Sequence, residues 1–148
     1  MTNRDFHILL ADDDEDDCMF FKDALDELSI PASFNAVNNG VELMDFLQNN
    51  LPKLPQVLFL DLNMPRKSGM ECLTEIKGSE KLRQLPVIIY STSSNLEVMD
   101  LLYEKGAQYY IRKPADFSNL KSVIGSAIDL IDQKKVFQPT REEFVIQP

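Results

Sequence analysis

The sequence predicts an α/β domain: five parallel strands in one doubly wound sheet, with helices on both faces. Three observations predict it. Short apolar runs recur along the chain, and HILLA, VLFL, VIIY and QYYI hold their apolar residues consecutively rather than in alternation. Strands covered on both faces read this way. The segments between the runs repeat apolar residues at helical spacing. The 148 residues, 44% of them apolar, suit one domain with a buried core.

HILLA (7–11) is the first strand. Cys18, Phe21, Leu25 and Leu28 then line one face of a helix, which Ile30-Pro31 ends, because a residue before proline avoids the helical region. SFNAV (33–37) alternates weakly, as a second strand would. Asn39-Gly40 signals a turn, and Val41, Met44 and Leu47 mark a short helix. Two prolines make 51–56 a loop before the strand VLFL (57–60). Met70, Leu73 and Lys77 fit a helix whose core face starts after Gly69. Pro86 opens VIIY (87–90). Ser94 and Glu97 have capping-box spacing, followed by Leu96, Met99 and Tyr103 at helical intervals. QYYI (108–111) is the fifth strand, and Phe117, Leu120, Ile124, Ala127 and Ile131 mark a long last helix. Residues 134–148 lack a clear period and contain two prolines. The expectation is one domain over 1–133 and an appended tail over 134–148, with no separate output domain.

Fifteen Lys and Arg against 24 Asp and Glu give a net charge of −9. That balance opposes binding to nucleic acid, which needs a basic face, and docking on anionic lipid. It permits divalent cations and basic protein partners. No apolar run approaches the roughly 18 residues of a membrane span. The polar N-terminus MTNRD runs straight into the first strand without a signal sequence. The expected location is cytoplasmic. Cys18 and Cys72 have neither metal-ligand spacing nor the number for a disulfide framework, and are expected to be buried free thiols.

In an open parallel sheet, ligands bind beyond the carboxyl ends of the strands. The first strand ends in Asp12 and Asp13, the third in Asp61, the fourth in Ser91 and Thr92, and the fifth in Lys113 before Pro114. Two unit charges about 4 Å apart repel by about 4 kcal/mol at an effective dielectric of about 20. Clustered carboxylates therefore call for a cation. Lys113 offsets one charge, and hard oxygen donors suit Mg²⁺. A carboxylate beside Mg²⁺ and an ammonium is a nucleophile suited to phosphorus. Each residue has a blander role. A strand-end Asp is commonly a helix N-cap, a strand-end Lys is commonly solvated, and the run DDDEDD (12–17) suits a helix's first turn. Asp14, Glu15, Asp16 and Asp17 are expected to have only that helix-start role. For the others, four separate strands deliver complementary groups at the same end, which the bland roles do not explain.

ILLADD, LFLDLNMPRKSG, PVIIYSTS and YYIRKP resemble, in order and spacing, the signatures of bacterial two-component response-regulator receiver domains of the chemotaxis-regulator type, over about residues 6–133. The resemblance implies a flavodoxin-like (βα)5 fold. It implies that Asp61 accepts a phosphoryl group from a sensor histidine kinase or phosphotransfer protein. Asp12, Asp13 and Asp61 would hold Mg²⁺, Asp12 through water, with the backbone carbonyl of Asn63 added. Ser91 would hydrogen-bond the phosphoryl group and Lys113 would pair with it. Tyr110 occupies the aromatic switch position coupled to Ser91. Thr92 stands where the family often has Ala, which puts a larger polar group beside the pocket. A cis bond between Lys113 and Pro114 is also implied. Output would pass through the face of the fourth helix, fifth strand and fifth helix, with Leu101, Tyr103, Gln108 and Arg112 lining it. The receiver would be a downstream protein target, a further relay protein or a second copy in a homodimer.

Two alternatives belong to other classes. One is a binding module that keeps the fold and does not signal by phosphorylation, which the complete Asp12, Asp13, Asp61, Ser91 and Lys113 set opposes. The other is a true enzyme. A phosphatase of this kind uses a second Asp two residues after the nucleophile, where Asn63 stands, and a flavin site lacks its phosphate loop after the first strand. The expectation is a protein that catalyses only its own phosphorylation and dephosphorylation. His7 opens a strand and is expected to be structural rather than phosphorylated.

Overall fold

The computed structural model describes residues 6–133 and 138–148. Five strands alternate with five helices: β1 (His7–Ala11), α1 (Glu15–Leu28), β2 (Ser33–Val37), α2 (Gly40–Asn49), β3 (Val57–Leu60), α3 (Gly69–Lys77), β4 (Val87–Ser91), α4 (Leu96–Glu104), β5 (Tyr109–Arg112) and α5 (Phe117–Asp132). Every strand pair is parallel, in the order β2-β1-β3-β4-β5. The doubly wound flavodoxin-like sheet expected from the sequence is the fold of the chain.

Side chains alternate across the sheet, so each strand feeds two core layers. Leu9, Leu58, Leu60, Val87, Ile89 and Tyr110 pack with Leu43, Leu47, Leu73, Ile76 and Leu102 of α2, α3 and α4. Ile8, Leu10, Phe59, Ile88 and Ile111 pack with Phe21, Leu25, Leu120 and Ile124 of α1 and α5. Burial on both faces is why β1, β3 and β4 read as continuous apolar runs. β2 is one of the two edge strands, its residues exposed or half-buried, and its sequence alternates only weakly.

Several boundaries differ from the sequence expectation. Ser29, in the left-handed region at φ 56°, ends α1 before Ile30-Pro31 is reached, with its N–H donating to the Asp26 carbonyl. Asn95 caps α4, accepting from the Val98 N–H at 3.1 Å, so Ser94 and Glu97 form no capping box. Asn is as good an N-cap as Ser and lies one residue nearer the helix. The reciprocal box sits at α3, between Ser68 and Glu71. No cis peptide bond occurs among the described residues, so Lys113–Pro114 is trans. The trans form is the favoured one, and from it the Lys113 amine already reaches the pocket.

Residues 138–148 pack against the domain. A 3₁₀ turn (Arg141–Glu143) leads to a parallel bridge between Val145 and Tyr110 on the outer edge of β5. Phe144 is fully buried in one core layer and Ile146 is buried in the other. The segment thus pairs with β5 at Tyr110, whose outward N–H and carbonyl it satisfies. The remainder of the expected tail, 134–137, lies outside the described residues. No helix among the described residues is long and apolar enough to cross a membrane.

Candidate functional site

The strand ends meet because the parallel ladder continues one residue past the strands. The Asp12 N–H donates to the Val37 carbonyl (3.0 Å), Asp61 to Ala11 (2.9 Å) and Lys113 to Ser91 (2.8 Å). β1 lies between β2 and β3, so the chain leaves β1 in opposite directions on its two sides. The crevice opened there is where this sheet class binds ligands, and Asp12, Asp13 and Asp61 stand at its mouth.

Asp12 is fully buried, Asp61 is 5% exposed and Asp13 is exposed. One carboxylate oxygen from each lies within 4.8 Å of the others. The Lys113 ammonium is 2.8 Å from Asp12 Oδ2 and 3.5 Å from Asp61 Oδ2. Asp12 Oδ1 accepts the Asp14 N–H. Its Oδ2 is buried and paired with the Lys113 ammonium. Three carboxylates that each bring a hard oxygen donor to one place fit a divalent cation such as Mg²⁺.

Burial raises the Asp61 carboxyl to about 6, while Lys113 and the N–H groups of Leu62 and Asn63 work the other way. Burial likewise raises Asp12 against the bond to Lys113. For Lys113, burial disfavours the charge, but the bonds to Asp12 and Asp17 and the charges of Asp12 and Asp61 together outweigh it, and its pKa rises. The pocket thus holds a firm cation beside two carboxyls that burial makes easier to protonate.

Gly69 starts α3 with its N–H donating to the Leu62 carbonyl at 2.9 Å. A Cβ there would lie 2.1 Å from the Asp61 carbonyl oxygen. The helix start can press against the Asp61 backbone only because position 69 has no side chain.

Ser91 is buried, and its hydroxyl accepts the Ser93 N–H at 3.2 Å. The Tyr110 ring is fully buried, and its hydroxyl donates to the Ser93 carbonyl at 2.7 Å with the Ser91 hydroxyl also beside it. Thr92 and Asn63 are exposed. Burial pushes both thiols up to about 11, although Cys18 is only half-buried. His7 bonds Asn35 and packs edge-on against Phe46, in keeping with a structural role.

One site residue is absent from the sequence expectation. Asp17 Oδ2 contacts Lys113 at 2.8 Å, as closely as Asp12 does. Its local pattern does not separate it from Asp14 or Asp16. Asp14 does have the expected role, capping α1 by accepting the Asp17 N–H at 3.1 Å.

Residues 8–125 match the model of the response regulator receiver domain. The chain belongs to that family. It is 31% identical over 122 residues to response regulator Rcp1 of Synechocystis, covering 79% of this chain and 82% of Rcp1. It is 30% identical over 122 residues to a probable methanogenesis regulatory protein, FilR2, of Methanothrix harundinacea, covering 80% and 79%. The fold superposes on the phosphorylated cyanobacterial phytochrome response regulator RcpA with a TM-score of 0.80 at 29% identity, covering 88% of this chain and 96% of that one. The Mn(2+)-bound form of Rcp1 gives 0.75 at 28% identity, covering 91% and 99%. Receiver domains work with histidine kinases and downstream targets, and this receiver domain carries an acidic cluster able to hold a metal.

Proposed function

We propose that this chain is a cytoplasmic response regulator that accepts a phosphoryl group on Asp61 and then changes a protein-binding surface. The observation that carries this is the Lys113 ammonium set between buried Asp12 and Asp61, beside a cluster of three carboxylates able to hold a cation. The phosphorylated RcpA and Mn(2+)-bound Rcp1 structures support it by likeness.

Asp61 is the nucleophile. Its carboxylate oxygen forms the new O–P bond as the P–N bond to a donor's phosphohistidine breaks. The Leu62 and Asn63 N–H groups hold the carboxylate in place. Lys113 meets the charge on the transferring phosphoryl oxygens. Ser91 offers them a buried hydroxyl. Asp12, Asp13 and Asp61, with the Asn63 carbonyl, would hold Mg²⁺. When bound, Mg²⁺ supplies charge neutralisation for the carboxylates and the phosphoryl oxygens. The donor is a sensor histidine kinase or phosphotransfer protein, and the output is a downstream protein or a second copy.

Part of the expected output face is already covered. The Tyr103 hydroxyl donates to the Pro139 carbonyl at 2.6 Å, and the Gln138 side chain bonds the Tyr103 and Ala107 carbonyls. Leu101 and Arg112 stay exposed, and Gln108 is half-buried.

Incubation with acetyl phosphate and Mg²⁺ tests the reading by intact mass. The expected result is one labile phosphoryl adduct, absent from Asp61→Asn. An unmodified wild type, or an adduct that persists in Asp61→Asn, overturns it.

A further inference from the structure

An ammonium has three N–H donors. The Lys113 ammonium meets three carboxylates, and they share it unequally: Asp12 and Asp17 at 2.8 Å each, Asp61 at 3.5 Å. The short contacts go to the two residues that do not accept the phosphoryl group. Asp17 also stands apart from the cation cluster of Asp12, Asp13 and Asp61. It is fixed in the first turn of α1, where its N–H is tied to the Asp14 cap. Asp17 therefore pulls Lys113 toward α1 and away from the acceptor.

We infer that Asp17 is a positioning residue acting through Lys113, which it holds back from Asp61. This rests on the phosphoryl-accepting reading of Asp61. The restraint has two opposite effects. With Lys113 drawn toward α1, less positive charge faces the carboxylates, so the cation cluster binds a divalent ion more tightly. A phosphoryl group on Asp61 must win Lys113 from Asp17, so the phosphorylated form is less stabilised. Asp17 thereby trades phosphoryl retention for metal affinity. Losing its charge frees the ammonium to move the short distance to Asp61.

The test uses the full chain and two probes. Calorimetry measures Mg²⁺ alone. Beryllofluoride, a phosphoryl mimic, is then titrated at saturating Mg²⁺. Asp17→Asn keeps the shape and removes the charge. It is expected to weaken Mg²⁺ binding and tighten beryllofluoride binding, each by about fivefold, the size a partly exposed ion pair supports. Asp17→Glu restores both to within about twofold on the same scale. Asp16→Asn removes an equal charge one residue away, on an exposed side chain, and controls for general electrostatics. Opposite shifts in Asp17→Asn with near-wild-type values in Asp16→Asn support the inference. Shifts of one sign, no shift, or equal shifts in both variants overturn it while the reading of Asp61 stands. A wild type that takes up no beryllofluoride overturns that reading, and this inference with it.

Discussion

Phe144→Ala tests how the C-terminal segment is held. The ring is fully buried, 5.2 Å from the Tyr103 ring and 6.2 Å from the Tyr110 ring, with the Arg141 guanidinium 5.6 Å away. Truncating a core Phe costs about 3–5 kcal/mol when the surroundings cannot collapse. This site has another escape, because the segment is held to the edge of β5 by a single bridge and can release as a unit. It docks through Phe144, Ile146, the two backbone bonds to Tyr110 and a few side-chain bonds. Ordering a residue costs about 1–2 kcal/mol, so such docking holds with a small margin. Without Phe144 the segment is expected to release rather than keep a cavity. The loss is then limited to its docking free energy, about 1–2 kcal/mol by that balance. Urea unfolding should give the same stability for Phe144→Ala and for deletion of 138–148. Hydrogen exchange at Tyr110, whose N–H donates to the Phe144 carbonyl, should accelerate in step. A loss above about 3 kcal/mol with Tyr110 still protected would refute the reasoning, since that is the cost of a retained cavity.

Asp61 links stability to pH. Its carboxyl in the folded chain sits at about 6, above the ordinary value, so its contribution is fully present below about pH 4 and is lost as pH rises through 6. Metal-free Asp61→Asn should therefore gain on wild type across that window, by on the order of 2–3 kcal/mol at neutral pH, in urea titrations at several pH values. Gly69→Ala should cost more than about 2 kcal/mol and abolish acetyl phosphate labelling, because the new methyl meets the Asp61 backbone. Asp13→Ala should leave metal-free stability within about 0.5 kcal/mol, its carboxylate being exposed, and should remove most of the melting-temperature rise produced by millimolar Mg²⁺.

Much of the fold and the cation cluster was legible in the sequence, for one reason. Strands buried on both faces leave unbroken apolar runs, and a parallel sheet sends every strand's carboxyl end to the same edge. Asp12, Asp13, Asp61, Ser91 and Lys113 are therefore brought to one edge by topology alone, wherever the helices settle. Other features depend on how elements lie against one another. Asp17 looks like any acid in a helix's first turn until α1 sits beside the end of β5 and brings Lys113 to it across 96 residues of sequence. Ser94 and Asn95 are both good caps, and the helix start decides between them. Residues 138–148 carry no period of their own, because their shape comes from the edge of β5 and the groove that Phe144 fills beside Tyr103 and Tyr110. Local pattern records what a residue buries within its own element, whereas a contact between distant segments is set by docking angle and side-chain reach, which only the assembled structure decides.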